Sequence, residues 1–315
     1  MSPKSNQKFK ELRVKLREKL NKRRLIVSPD AHGALYARLI EKAGFDCMGI
    51  TGYGVAANFL GVPDVGLITM SEMVANTRNI CRAVGIPVLG DMDTGYGNAV
   101  NAMRAAREYE SAGVAGYHIE DQFFPKRCGF MKGKTVIPIE EMVGKIRACV
   151  EAREDENLVI IARTDARAVE GNEAMWERAN VCAEAGADVI YAEAPQSHDD
   201  LIGDRKHIKA PLLLNSIKPE YGLRSLHEVE ELGFAILSLA DATLDPASKA
   251  AYDFLVEIKR TGIYPDYLRG PVRFFSADEF GEIVGLVQVR EYEEKFLPKE
   301  EIIARYKSAK VPRTF

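Results

Sequence analysis

One piece of punctuation returns four times along the chain: "EKAGFD" at 41–46, "ESAGVAG" at 110–116, "AEAGAD" at 183–188 and "EELGFA" at 230–235. Each ends a helical pattern on a glycine and opens a new apolar run. Eight such runs, most rich in β-branched residues, occur in order: "RLIVS" (24–28), "DCMGI" (46–50), "IPVLGD" (86–91), "AGYHIE" (115–120), "LVIIAR" (158–163), "DVIYAE" (188–193), "PLLLN" (211–215) and "FAILSL" (234–239). Runs without polar alternation suit strands buried on both faces, as in a parallel sheet. Segments such as "SEMVANTRNICRAV" (71–84) separate them, with apolar residues recurring at three and four. Strand and helix alternating eight times predict an α/β fold, a (β/α)8 barrel. The 315 residues form one barrel domain on this reading, with a core over about 20–262 and a helical extension over 265–315.

The flanks narrow the function classes. A net charge of −3 gives no footing for nucleic acid. The N-terminal "KFKELRVKLREKLNKRR" reads as an amphipathic helix with a solvated basic face, not a signal peptide or a membrane anchor. Five unevenly spaced cysteines read as reduced thiols of a cytoplasmic protein. Near the other end "SADEFGEIVGLVQVREYEEKFL" (276–297) predicts one strong helix capped by Ser276, packed on a neighbouring subunit or on its own barrel.

In a barrel of this kind the chemistry sits at the C-terminal ends of the strands. Those positions carry Ser28, Asp30, Thr51, Gly52, Asp91, Asp93, Glu120, Arg163, Glu193 and Asn215. So many carboxylates in one place call for a cation. Asp93 and Glu120 come from adjacent strands, and oxygen-only ligands suit Mg²⁺ or Mn²⁺ rather than Zn²⁺. "TGYG" (51–54) offers backbone N–H groups to a carboxylate, or is a simple turn. Arg163 needs a partner: Asp165 structurally, or a substrate carboxylate functionally. Cys128 follows the fourth strand in "PKRCGFMKGK", a polar loop placed to act as a lid. Lys126 and Arg127 beside it are expected to lower its thiol pKa. Cys47, Cys81, Cys149 and Cys182 lie on apolar faces and read as packing residues, and His118 as a satisfied interior histidine.

The stretches "TGYGVAANFLGVPDVG", "DMDTGYGN", "GYHIEDQFFPKRCG", "IIARTDAR" and "YAEAP", in that order, resemble the isocitrate lyase/phosphoenolpyruvate mutase superfamily over roughly residues 20–260. The resemblance implies a barrel whose last helix is exchanged between subunits in a dimer of dimers, a homotetramer. It also implies a small 2-hydroxy or 2-keto acid bound with Mg²⁺ and an enolate on the reaction path. By the same resemblance Asp93 ligates the metal directly, while Asp64, Asp91 and Glu120 hold its waters or complete its shell. Thr51, Gly52, Tyr53 and Arg163 bind the glyoxylate- or pyruvate-like half, and Glu193 and Asn215 line the other end.

Lys126-Arg127-Cys128-Gly129 follows the lid of the branch that breaks C–C bonds, the methylisocitrate and dimethylmalate lyases. This makes Cys128 a proton donor, with Lys126, Arg127 and Tyr53 as its catalytic company. The carboxyphosphonoenolpyruvate phosphonomutases share that lid, so a phosphonomutase, or an oxaloacetate-type hydrolase or decarboxylase, is the alternative; a non-catalytic barrel is a third. Three positions depart from the lyase pattern: Phe130 replaces a lid histidine, and Ile217 and Ala240 stand where polar residues are expected. Together they predict a relatively apolar second fragment.

Overall fold

A computed structural model describes residues 3–264 and 274–307 of the protein. Eight parallel strands close into a barrel in sequence order. They are β1 (Ile26–Ala31), β2 (Met48–Ile50), β3 (Val88–Asp91), β4 (Gly116–Glu120), β5 (Val159–Thr164), β6 (Val189–Ala192), β7 (Leu212–Asn215) and β8 (Ile236–Leu239). β8 closes on β1 with Ser28 opposite Ser238. β1 runs past the sequence estimate, through Pro29 to Ala31, so Asp30 lies within the strand rather than after it.

The punctuation glycines behave as expected of helix stops. Gly44, Gly113, Gly186 and Gly233 all have positive φ, a conformation that costs glycine little. The helix Ala99–Ala112, for example, starts on an Asn98 capping box and ends on Gly113.

The basic N-terminal segment is more than a solvated face. It forms the helix Pro3–Asn21, whose Phe9, Arg13 and Leu16 are buried. Leu16 joins Ile26, Leu89, Val159, Val189, Leu213 and Ile236 in one apolar cluster, with residues from six of the eight strands. Arg13 is buried against Glu110 and Asp155 at 3.3 and 3.2 Å.

The chain divides into two compact units, residues 1–246 and 247–315. The second holds most of the helix Leu244–Thr261 and three later helices, Ala277–Ile283, Leu286–Phe296 and Lys299–Lys307. Ser276 caps as predicted, accepting the Glu279 N–H in a capping box. The single helix expected over 276–297 is broken, however: Gly285 takes φ 86°, and the chain restarts as a new helix at Leu286. Residues 265–273 of the predicted extension lie outside the described residues. No described helix is long and apolar enough to cross a membrane.

Candidate active site

A cavity of about 330 Å³ opens at the C-terminal ends of the strands. Its floor and walls take Asp30 from β1, Asp91 from β3, His118 from β4, Arg163 from β5, Tyr191 from β6, Asn215 from β7 and Ser238 from β8. The segments after β2 and β4 add Thr51, Gly52, Tyr53, Asp64, Lys126, Cys128, Gly129 and Phe130. Ile50 from β2, with Glu193, Ser216, Lys218, Ala240, Asp241 and Asp245, completes it. Of the residues singled out in the sequence, Ser28, Asp93, Glu120, Arg127 and Ile217 do not line the cavity; Asp93 and Glu120 are buried beside it. Backbone strain gathers here: Asp93, Ala194 and Ser216, each at or just beyond a strand end, have φ of 45°, 58° and 62°.

The acids on the β2–β4 side are organised around two groups. Asp91 accepts the Gly52 N–H at 2.8 Å and the Asp93 N–H at 3.0 Å, and lies 3.0 Å from His118 Nε2. Burial works to raise its pKa, but His118, Lys126 and these hydrogen bonds hold it below the usual carboxylate range. The anion gripped by the Gly52 N–H is therefore the protein's own Asp91. Thr51 in turn caps its helix by accepting the Gly54 N–H. The "TGYG" backbone thus serves the site's framework first, and Gly52 is required there, since a β-carbon would stand 2.5 Å from Asp91 Oδ2.

The second organiser is Lys126. Its buried ammonium lies 2.7 Å from Asp64 and 2.8 Å from Asp93. Burial alone would lower its pKa, yet Asp93, Glu120, Asp64 and Asp91 raise it well above the ordinary value. Burial pushes Asp93 up to about 6, Asp91 and Asp64 adding to it against Lys126. It also pushes Glu120 well up, and Glu120 Oε1 has no hydrogen-bond partner. Among the described residues no three Asp, Glu, His or Cys side chains converge as a metal cage. The donor set is nonetheless all oxygen, carries an unsatisfied buried carboxylate atom, and already holds one cation between two acids. It fits a hard ion that keeps most of its waters and takes one or two carboxylates.

Arg163 follows the structural alternative. Its Nε and Nη2 bond Asp165 at 2.9 and 3.2 Å, with Glu120 at 3.3 Å and Glu193 at 3.6 Å. Its guanidinium lies 4.9 Å from the Tyr191 ring centroid. It still lines the cavity and presents positive charge there.

The loop after β4 is docked over the cavity. The Cys128 N–H donates to Asp64 O at 3.1 Å, and Gln122 and Arg127 exchange two hydrogen bonds of 2.9 and 2.8 Å. Lys134 donates to Gly129 O and to Asp165. Gly129 packs against the floor residues: a β-carbon on it would lie 2.8 Å from the Glu193 carboxyl and 3.1 Å from Arg163 Nη2. Phe130, 67% exposed, meets Tyr53 edge-to-face at 5.8 Å.

Three expectations change. The Cys128 thiol is not acidified: burial pushes it up to about 12, Asp64 adds to this, and Arg163 and Lys126 only partly offset it. The Lys126 charge is spent on Asp64 and Asp93, and the exposed Arg127 lies outside the cavity lining. Ile217 packs on the barrel core and does not line the cavity, so the apolar patch shrinks to Phe130 and Ala240. Polar Ser216, Lys218 and Ser238 line the same cavity. Sequence reasoning passed over His118 as an interior residue, and over Tyr191, Lys218 and Ser238 altogether. The even spacing of Gly116, His118 and Glu120 along one face of β4 was the available signal.

The phosphoenolpyruvate phosphomutase family model matches residues 16–259. A 2,3-dimethylmalate lyase of Eubacterium barkeri is 41% identical over 284 residues, 90% of this chain and 97% of that protein. An oxaloacetate acetylhydrolase solved with the inhibitor 3,3-difluorooxalacetate superposes with a TM-score of 0.84 at 34% identity, covering 91% of this chain and 97% of the other. A phosphonopyruvate hydrolase solved with oxalate and Mg²⁺ superposes at 0.81 with 30% identity, covering 95% of this chain and all of the other. With five motifs at the ends of a closed eight-stranded barrel and a matching family model over most of its length, the chain belongs to the phosphoenolpyruvate mutase/isocitrate lyase superfamily.

Proposed function

We propose that the protein is a Mg²⁺- or Mn²⁺-dependent carbon–carbon lyase. On this reading it cleaves a substituted malate-type 2-hydroxy diacid to glyoxylate or pyruvate and a second, smaller acid. The observation that carries the reading is Cys128, on a loop docked over the cavity with its thiol held protonated. A lyase must protonate the carbanion left at C3, and a thiol pushed up to about 12 carries a proton to give through the physiological pH range. The 41% identity to a dimethylmalate lyase supports the same reaction class.

Asp93 would hold the metal directly, and Asp64, Asp91 and Glu120 through water; a phosphonopyruvate hydrolase solved with oxalate and Mg²⁺ supports Mg²⁺ as the ion. When bound, the ion supplies charge stabilisation to the oxyanion that develops at the 2-oxygen. Arg163 and the Thr51–Tyr53 turn orient the carboxylate of the keto-acid half, with Glu193 and Asn215 bounding the other half. Phe130 and Ala240 give the cavity apolar lining suited to a methyl substituent. Lys218 and Ser216, which line the same cavity, suit a single further carboxylate rather than a tricarboxylate.

The exposed apolar side chains of the later helices, including Leu255, Val287, Tyr292 and Phe296, support a homotetramer in which subunits cover them. Five free thiols support a reducing, cytoplasmic setting.

The test is a panel of 2-hydroxy and 2-keto diacids with Mg²⁺, assayed for glyoxylate, pyruvate and oxalate. Release of pyruvate or glyoxylate from a methylated malate is the expected result. Oxalate from oxaloacetate alone would replace the lyase with a hydrolase.

A further inference from the structure

Asp30 is a buried carboxyl group in the cavity floor that the reading above leaves without a task. It projects from β1, 6% exposed, into space that exists because β2 carries glycine at the facing position. A β-carbon on Gly49 would stand 2.1 Å from Asp30 Oδ1. Oδ2 accepts the Ser238 hydroxyl at 2.9 Å, whereas Oδ1 is buried with no hydrogen-bond partner among the described residues. The other buried carboxylates lining the cavity each face a cationic or imidazole partner. Asp64 has Lys126, Asp91 has His118, and Glu193 lies 3.6 Å from Arg163. Asp241 and Asp245 are exposed to water. Among the described residues lining the cavity, Asp30 is the one sheltered carboxylate with no cation or imidazole at ion-pair distance; His118 acts on it only from farther away.

A buried acceptor left unsatisfied is costly, so this one awaits a donor. An ionised 2-hydroxy diacid has many acceptors and one donor, its 2-hydroxyl. Resting on the lyase reading, we infer that Asp30 accepts the hydrogen bond of the substrate's 2-hydroxyl and then takes its proton. The O–H electron pair becomes the second bond of C2=O, and the C2–C3 bond breaks with its pair going to C3. The Cys128 S–H proton passes to C3, and the proton on Asp30 returns to the thiolate through water as the products leave. Ser238 holds Oδ2 and so aims Oδ1. Burial pushes the Asp30 carboxyl up to about 7, with Ser238 and His118 working against it and Asp91 and Asp241 adding to it, a value suited to a base that must release its proton each cycle.

The test compares malate with succinate, which differ only in that hydroxyl, by calorimetry with Mg²⁺ on the wild type, Asp30→Ala and Asp30→Asn, with oxalate as a control for an intact site. The wild type should prefer malate, and Asp30→Ala should lose most of that preference, roughly tenfold or more, while oxalate binding is kept. Asp30→Asn, which keeps the shape but not the basicity, should lower kcat on the best substrate by about 100-fold with little change in KM. An undiminished malate preference in Asp30→Ala, or none in the wild type, overturns the assignment, as does full turnover by Asp30→Asn. If the preference depends on Asp30 but no acid is cleaved, the lyase reading fails and the hydroxyl site stands.

Discussion

Gly129 of the lid lies so close to Glu193 of the cavity wall that a β-carbon on the glycine would stand 2.8 Å from the carboxyl carbon. The docked position of the loop therefore depends on the absence of one methyl group. Overpacking of this kind costs about 1–3 kcal/mol. Gly129→Ala should lower kcat/KM by roughly 10- to 100-fold while leaving the melting temperature unchanged, because only the docked lid is disturbed. Wild-type kcat/KM in this variant would show that the lid works in another position.

Cys128 should behave as a reluctant nucleophile. With its pKa pushed up to about 12, its thiolate fraction at pH 8 is on the order of 10⁻⁴. Site-resolved alkylation by iodoacetamide should be slow at pH 7 and rise about tenfold per pH unit to pH 9. A plateau near pH 8 would restore the acidified thiol that the neighbouring lysine and arginine suggest in sequence. Cys128→Ser should cost about 100-fold in turnover with metal binding intact.

Asp93 calls for asparagine rather than alanine as its replacement, since φ is 45° and asparagine tolerates that conformation. Asp93→Asn should abolish turnover and weaken Mg²⁺ or Mn²⁺ binding at least ~10-fold by calorimetry, with thermal unfolding little altered. Unchanged metal affinity would move the direct ligand elsewhere.

Light scattering at micromolar concentration should give four times the 35.0 kDa chain mass. Leu255→Glu places a charge among side chains expected to be covered between subunits and should yield smaller species. A monomeric wild type would contradict the assembly.

The barrel was legible because its strands are buried on both faces, which leaves apolar runs, and because glycine marks four of the helix ends. β1 was read short, since the strand continues through Pro29 to Ala31 beyond its apolar run. The helix expected over 276–297 contains Gly285, and its left-handed φ marks the break. In the site, residue types at strand ends were readable, but beyond Arg163 with Asp165 the pairings were not. Asp30 meets Ser238 from the far end of the chain, and Lys126 turns to Asp64 and Asp93 rather than to the thiol two residues away. Arg127 shows the same limit: adjacency in sequence suggested an electrostatic role, but the loop sends it to the surface. Ile217 likewise follows two cavity residues and turns into the core.

The N-terminal helix has a consequence for how the protein is made. Leu16 emerges from the ribosome among the first residues, yet one member of its cluster, Ile236 of the last strand, emerges among the last of the barrel. The helix can wait as a free amphipathic segment, but its buried face cannot be fully covered until β8 has been synthesised. Completion of this end of the barrel thus waits for β8, and a fusion that ties down the helix Pro3–Asn21 would delay it.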